Sequence, residues 1–143
     1  MTKRTVQTPR FGRTSKGPYA QGVCVPPGRG LIFTAGIIAR DARGAIVAPS
    51  DVRAQTREVL ENLKALLADG GACLEDVVKI TVYLRDIEGD LAAVREVRDE
   101  YWPSDPPAAT AVEVSRLMTD DVRVEIEAVA MLPEERQSGG ELR

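Results

Sequence analysis

Val78-Lys79-Ile80-Thr81-Val82-Tyr83-Leu84 alternates apolar and polar side chains over seven residues. Successive side chains of a strand point to opposite faces, so this stretch reads as a strand burying Val78, Ile80, Val82 and Leu84. Upstream the period is different. Val52, Val59, Leu60, Leu63, Leu66 and Leu67 recur at helical spacing and put one apolar stripe on a helix. Ser50 is the expected N-cap, Asp51 complements the helix dipole, and Gly70-Gly71 ends the run. Downstream a second helix is predicted from about residue 88 to 102, stopped by Pro103 and again by Pro106-Pro107.

Outward from this helix–strand–helix centre, residues 20–25 form a short predicted strand closed by Pro26-Pro27-Gly28-Arg29-Gly30. The apolar run at residues 31–37 suits a buried strand, and the two read as a hairpin. After the second helix come strands at 108–115 and 122–131, the latter with Val122, Val124, Ile126, Ala128 and Ala130 on one face. The order is β-β-α-β-α-β-β, without an internal repeat or linker. It predicts a two-layer α+β fold whose helices cover one face of the sheet. One domain is expected over residues 1–143, with a polar arm at 1–16 and a loose tail at 133–143. The opposite sheet face carries Lys79, Thr81, Tyr83, Arg123, Glu125 and Glu127, and lies in water or in subunit contacts.

The 143 residues suffice for a core that needs no disulfide or metal. Histidine is absent, which excludes a His general base, a Ser-His or Cys-His pair and a His-containing zinc site. Cys24 and Cys73 make neither a thiolate cage nor a C-x-x-C motif, and two thiols without a disulfide framework fit the reducing cytoplasm. Nineteen basic against 22 acidic side chains argue against nucleic acid as a partner. No apolar run is long enough for a membrane span, and the polar N-terminus lacks the apolar core of a secretory signal. Cys24, in an apolar strand, is expected to be a small buried hydrophobe. The Tyr101-Trp102 pair is expected to pack on its own sheet.

Several stretches in order resemble one known family. Gly17-Pro18-Tyr19-Ala20-Gln21-Gly22 and Ile32-Phe33-Thr34-Ala35-Gly36 are similar to the opening of RidA (YjgF) proteins. Gln55-Thr56-Arg57, Leu60-Glu61-Asn62-Leu63 and Val77-Val78-Lys79-Ile80-Thr81-Val82-Tyr83 match the middle. Val112-Glu113-Val114 with Arg116-Leu117, then Val124-Glu125-Ile126-Glu127-Ala128-Val129-Ala130, complete it. The resemblance spans about residues 14 to 132. It implies a chorismate-mutase-like fold, a homotrimer and ligand clefts between neighbouring subunits.

The resemblance further implies hydrolysis of reactive enamines and imines, or their tautomerisation, without a metal or organic cofactor. Its partners would be other copies of the chain and a small-molecule metabolite. Tyr19 matches a family Tyr that lies over the substrate, and Glu125 matches a Glu that places the attacking water. Gly36 allows close approach of a ligand or a neighbouring chain. The family Arg that grips the substrate carboxylate does not match, because Pro107-Ala108-Ala109-Thr110-Ala111 puts Ala109 in its place. Ala111 replaces a frequent Cys. Losing one partner of a buried charge-assisted pair costs about 2–5 kcal/mol. That is roughly 30- to several-thousand-fold in affinity. Simple 2-imino acids are therefore disfavoured as substrates. Arg95, where the family often has an Asn facing the cleft, would hold an anionic group in another pose. Backbone groups near Ala109 and Thr110 would stabilise developing charge. The rival expectation is a trimer that binds a ligand without chemistry. An endoribonuclease is the least favoured, given the acidic balance, the missing His and few aromatics.

Overall fold

The computed structural model describes residues 3–6, 9, 18, 20 and 22–134. Its elements are β1 (Arg4–Val6), β2 (Gly22–Cys24), β3 (Leu31–Phe33), α1 (Val52–Asp69), β4 (Val77–Leu84), α2 (Ile87–Tyr101), β5 (Ala108–Glu113) and β6 (Val124–Met131), with a 3₁₀ turn at Leu74–Asp76 before β4. The expected order is kept, with one strand more. β1 forms inside the polar arm and pairs antiparallel with β2 as a separate two-stranded sheet. Tyr19, most of the arm and residues 135–143 lie outside the described residues.

The main sheet runs β3-β6-β4-β5, antiparallel except for β4 and β5, which the α2 crossover joins in parallel. The expected hairpin of residues 20–25 with 31–37 does not form, since β2 pairs with β1 and β3 with β6. Local alternation says that a segment is a strand but not which strand it meets. The connecting turn holds two prolines that cannot donate, and its end is tied to the far terminus instead. Leu132 N donates to Gly30 O at 2.8 Å, and Arg29 Nε donates to Leu132 O at 2.8 Å. The run at 31–37 is also less buried than expected. As an edge strand, β3 leaves Leu31 and Phe33 exposed.

Both helices lie on one face of this sheet. Val59, Leu60, Leu63 and Leu67 of α1 and Val94 and Val97 of α2 pack against Ile80, Val82, Leu84, Val124, Ile126 and Ala128. Each fully buried leucine contributes on the order of 2 kcal/mol to this layer. Leu66, read as part of the stripe, is exposed. The cap of α1 is Asp51, whose carboxylate accepts from Ala54 N at 3.0 Å. Ser50, the expected cap, instead takes a left-handed φ of 60° and its N–H donates to Asp121 O at 3.1 Å. Trp102 closes the core, its indole N–H donating to Leu74 O at 2.9 Å. Cys24 is exposed, because β2 has only the short β1 beside it.

Two polar clamps hold the lower end of the sheet. Gln55, fully buried on α1, donates from Nε2 to Asp121 O (2.7 Å) and Ala48 O (3.2 Å), and its Oε1 accepts from Arg123 N (2.9 Å). Arg123 then grips the buried Asp90 of α2 through two hydrogen bonds of 2.8 and 2.9 Å. Arg123 therefore leaves the polar sheet face on which alternation placed it. An aligned carboxylate is a stronger partner than water for a guanidinium.

Candidate functional site

The sheet face away from the helices is built by the pleat of β4 and β6. Tyr83 stands opposite Glu125 and Thr81 opposite Glu127, all half-buried. Tyr83 Oη donates to Glu127 Oε1 at 2.7 Å. That bond, with burial and the Glu127 and Glu125 charges, pushes the phenol above its ordinary pKa. Lys79 Nζ donates to Thr110 Oγ1 at 2.6 Å. Partial burial moves its pKa down, against the pull of Glu127.

Gly36 sits beside Glu125 because the chain around it is stitched to β6. Thr34 N donates to Ala128 O at 2.9 Å, and Ile37 exchanges both backbone hydrogen bonds with Ile126 at 2.8 and 3.0 Å. A Cβ built on Gly36 would fall 2.8 Å from Glu125 Cδ and would collide with Oε1. The close approach foreseen at this glycine is thus made by the chain's own carboxylate. On one side of that carboxylate opens a pocket of about 400 Å³, lined by Gly36, Ile37, Ile38, Arg40, Asn62, Met118 and Glu125. On the other is a shallower depression of about 300 Å³, which Tyr83, Arg116 and Glu127 help to line. Asn62 of α1 holds the pocket's rim, its Nδ2 donating to Arg40 O at 3.0 Å and Ile38 O at 3.4 Å.

The structure brings Gly36 and Glu125 together. It does not bring the other candidates to them within one chain. Ala109 and Ala111, opposite Ile80 and Val82, lie on the helix side of the edge strand β5, while Thr110 is on the open face. Arg95 is exposed on α2, in the layer behind the sheet. Tyr19 lies outside the described residues. Sequence reading missed Arg40, Met118 and Asn62 as pocket residues. Asn62 belonged to a motif of the resemblance. Arg40 carried no signal, since only the tertiary fold brings the turn after Gly36 against α1.

Cys73 offers no nucleophile. Its thiol donates to Asp76 Oδ2 at 3.2 Å, and burial, then the Glu75 and Asp76 carboxylates, push its pKa to about 11. Among the described residues no group of three His, Cys, Asp or Glu side chains could hold a metal ion, and no helix is long and apolar enough to cross a membrane.

Comparison with known proteins places this geometry. The family model described as endoribonuclease L-PSP matches residues 12–132. A RutC family protein of Pyrococcus abyssi is 46% identical over 114 residues, covering 80% of this chain and 86% of the relative. A 2-iminobutanoate/2-iminopropanoate deaminase of Salmonella typhimurium is 39% identical over 118 residues, covering 80% and 88%. Among solved structures, the Rid family protein YyfB of Yersinia pestis superposes with a TM-score of 0.82 at 31% identity, covering 92% of this chain and 100% of that one. With the family model matching residues 12–132 and the fold reproduced over nearly the whole chain, the protein belongs to the RidA (YjgF) family.

Proposed function

We propose that this protein hydrolyses a small enamine or imine, or interconverts the two, in a cleft shared by neighbouring copies of a homotrimer. The observation that carries the reading is the Glu125 carboxylate packed over Gly36 beside a pocket of metabolite size. Its likeness to a deaminase of 2-imino acids supports the reaction type. In the proposed step Glu125 takes a proton from water as the oxygen bonds to the C=N carbon, and the nitrogen gains a proton. Breakage of the C–N bond then releases ammonia and leaves a carbonyl. One water is consumed and no electrons are exchanged.

The separation of candidates within one chain supports a shared cleft. Ala109 and Ala111 on the edge strand β5, with Arg95 on α2, would come from one copy, and Gly36 and Glu125 from the open face of its neighbour. Beyond the Ala20–Ala108 bridge, the outer edge of β5 leaves alternate backbone N–H groups unpaired, so one near Ala109 and Thr110 would stabilise developing charge. Tyr19 would form one wall. With Ala109 where the family grips an α-carboxylate, the preferred substrate is one without a carboxylate on the reacting carbon.

The test generates imines from several amino acids and amines with amine-oxidising enzymes and follows their loss. The protein is expected to accelerate hydrolysis of imines lacking the α-carboxylate, and Ala109→Arg to shift preference at least tenfold toward 2-imino acids. No acceleration of any imine, with a small acid still protecting the protein against heat, would replace this reading by non-catalytic ligand binding. Salt-sensitive binding of RNA would favour the nuclease reading instead.

A further inference from the structure

We infer that Arg40 is the anion-binding residue of the Glu125 pocket, and that its ligand carries a carboxylate apart from the reacting carbon; this rests on that pocket being the site just proposed. Arg40 lines the pocket with an exposed side chain, while its backbone is fixed. Its carbonyl accepts from Asn62 and its N–H donates to Ile38 O at 2.9 Å. Arg53 meets Glu96, Arg57 meets Glu100, Arg98 meets Asp99 and Arg123 meets Asp90, whereas Arg43, Arg95 and Arg116 meet no carboxylate among the described residues and do not line this pocket. Among the described residues no carboxylate pairs with Arg40 either. Arg40 therefore lines the pocket with the hydrogen-bonding capacity of its guanidinium unspent, and a guanidinium can hold a carboxylate through two parallel bonds.

The position of the charge tells what the ligand looks like. Arg40 and Glu125 line the same pocket but form no ion pair, so their charged ends stand apart. The same lining includes the apolar side chains of Ile37, Ile38 and Met118. A ligand that touches both puts its protonated nitrogen near Glu125 and its carboxylate near Arg40, with a short apolar chain between. Ala109 fits that arrangement, since no α-carboxylate then needs a partner at β5. The ligand class is an imine or enamine bearing a distal carboxylate, and its product a keto or aldehyde acid of the same shape.

Calorimetry with three carbonyl probes tests this without turnover: 4-oxopentanoate, its neutral amide, and 2-oxobutanoate. Wild type is expected to bind 4-oxopentanoate at least tenfold more tightly than either other probe. Arg40→Ala should abolish the preference over the amide, and Arg40→Lys should restore part of it. Arg43→Ala, an equal loss of charge in the exposed turn beside the pocket, should leave it intact. Equal binding of acid and amide by wild type would overturn the proposal. So would a preference for 2-oxobutanoate, or a loss caused by Arg95→Ala or Arg116→Ala with Arg40→Ala silent. Binding that depends on Arg40 without any imine turnover would sustain this inference while removing the catalytic reading. Turnover that ignores Arg40 would do the reverse.

Discussion

Replacing Gly36 by alanine is expected to lower imine hydrolysis about 100-fold while leaving the melting temperature within about 2 °C of wild type. The backbone at Gly36 is not among those in the left-handed region, so alanine meets no conformational penalty there. The atoms its Cβ would strike are Oε1, Cδ and Cγ of Glu125, the end of a flexible side chain at a half-exposed position. That side chain rotates aside with little cost to the fold and loses its place over the pocket. A displacement of about 1 Å in a catalytic group is enough for a loss of this size. Rates measured beside thermal unfolding separate the two effects. Full activity in Gly36→Ala would show that the observed seat of the carboxylate is not the working one.

Gln55→Ala is expected to have the largest effect on stability, about 3 kcal/mol, because one amide satisfies three backbone groups from two loops. Alanine leaves Asp121 O, Ala48 O and Arg123 N without that partner, in a site from which Gln55 itself is fully excluded from solvent. A cavity adds to the loss. For a chain of this length the melting temperature should fall by roughly 10 °C. Because the proposed trimer would make that temperature depend on concentration, variant and wild type are compared at one concentration. Gln55→Glu should destabilise too, since its carboxylate would face carbonyl oxygens where the amide donates. A shift below about 2 °C in Gln55→Ala would mean that water replaces the amide and that the clamp is dispensable.

The elements whose residues carry a strict period were legible in the sequence. β4 and β6 alternate, α1 and α2 repeat at helical spacing, and prolines and glycines bound them. β1 was not, because three residues in a polar arm show no period and take their structure from β2 across the chain. The partner of β3 was not legible for a related reason: alternation is local, whereas pairing is decided by which edge is free once α1, β4 and α2 have packed. The cap of α1 moved by one residue because Asp51 has the better acceptor for Ala54 N, leaving Ser50 to the turn. At the site, periodicity said only that Glu125 shares the polar face, and the resemblance singled it out. Its contact with Gly36 joins residues 89 positions apart, and the turn bearing Arg40 is held by a helix 22 residues further on. Neither relation has a local signature.

Glu125→Gln tests the proposed role of the Glu125 carboxylate most directly. The exchange keeps the shape of the side chain and removes its ability to take a proton from water. The rate of imine loss is measured for wild type and variant on the substrate that wild type turns over best, at matched concentration. The expected result is a fall of about 100- to 1,000-fold with an unchanged melting temperature. A Glu125→Gln variant as fast as wild type would contradict that role and place the chemistry elsewhere on the chain.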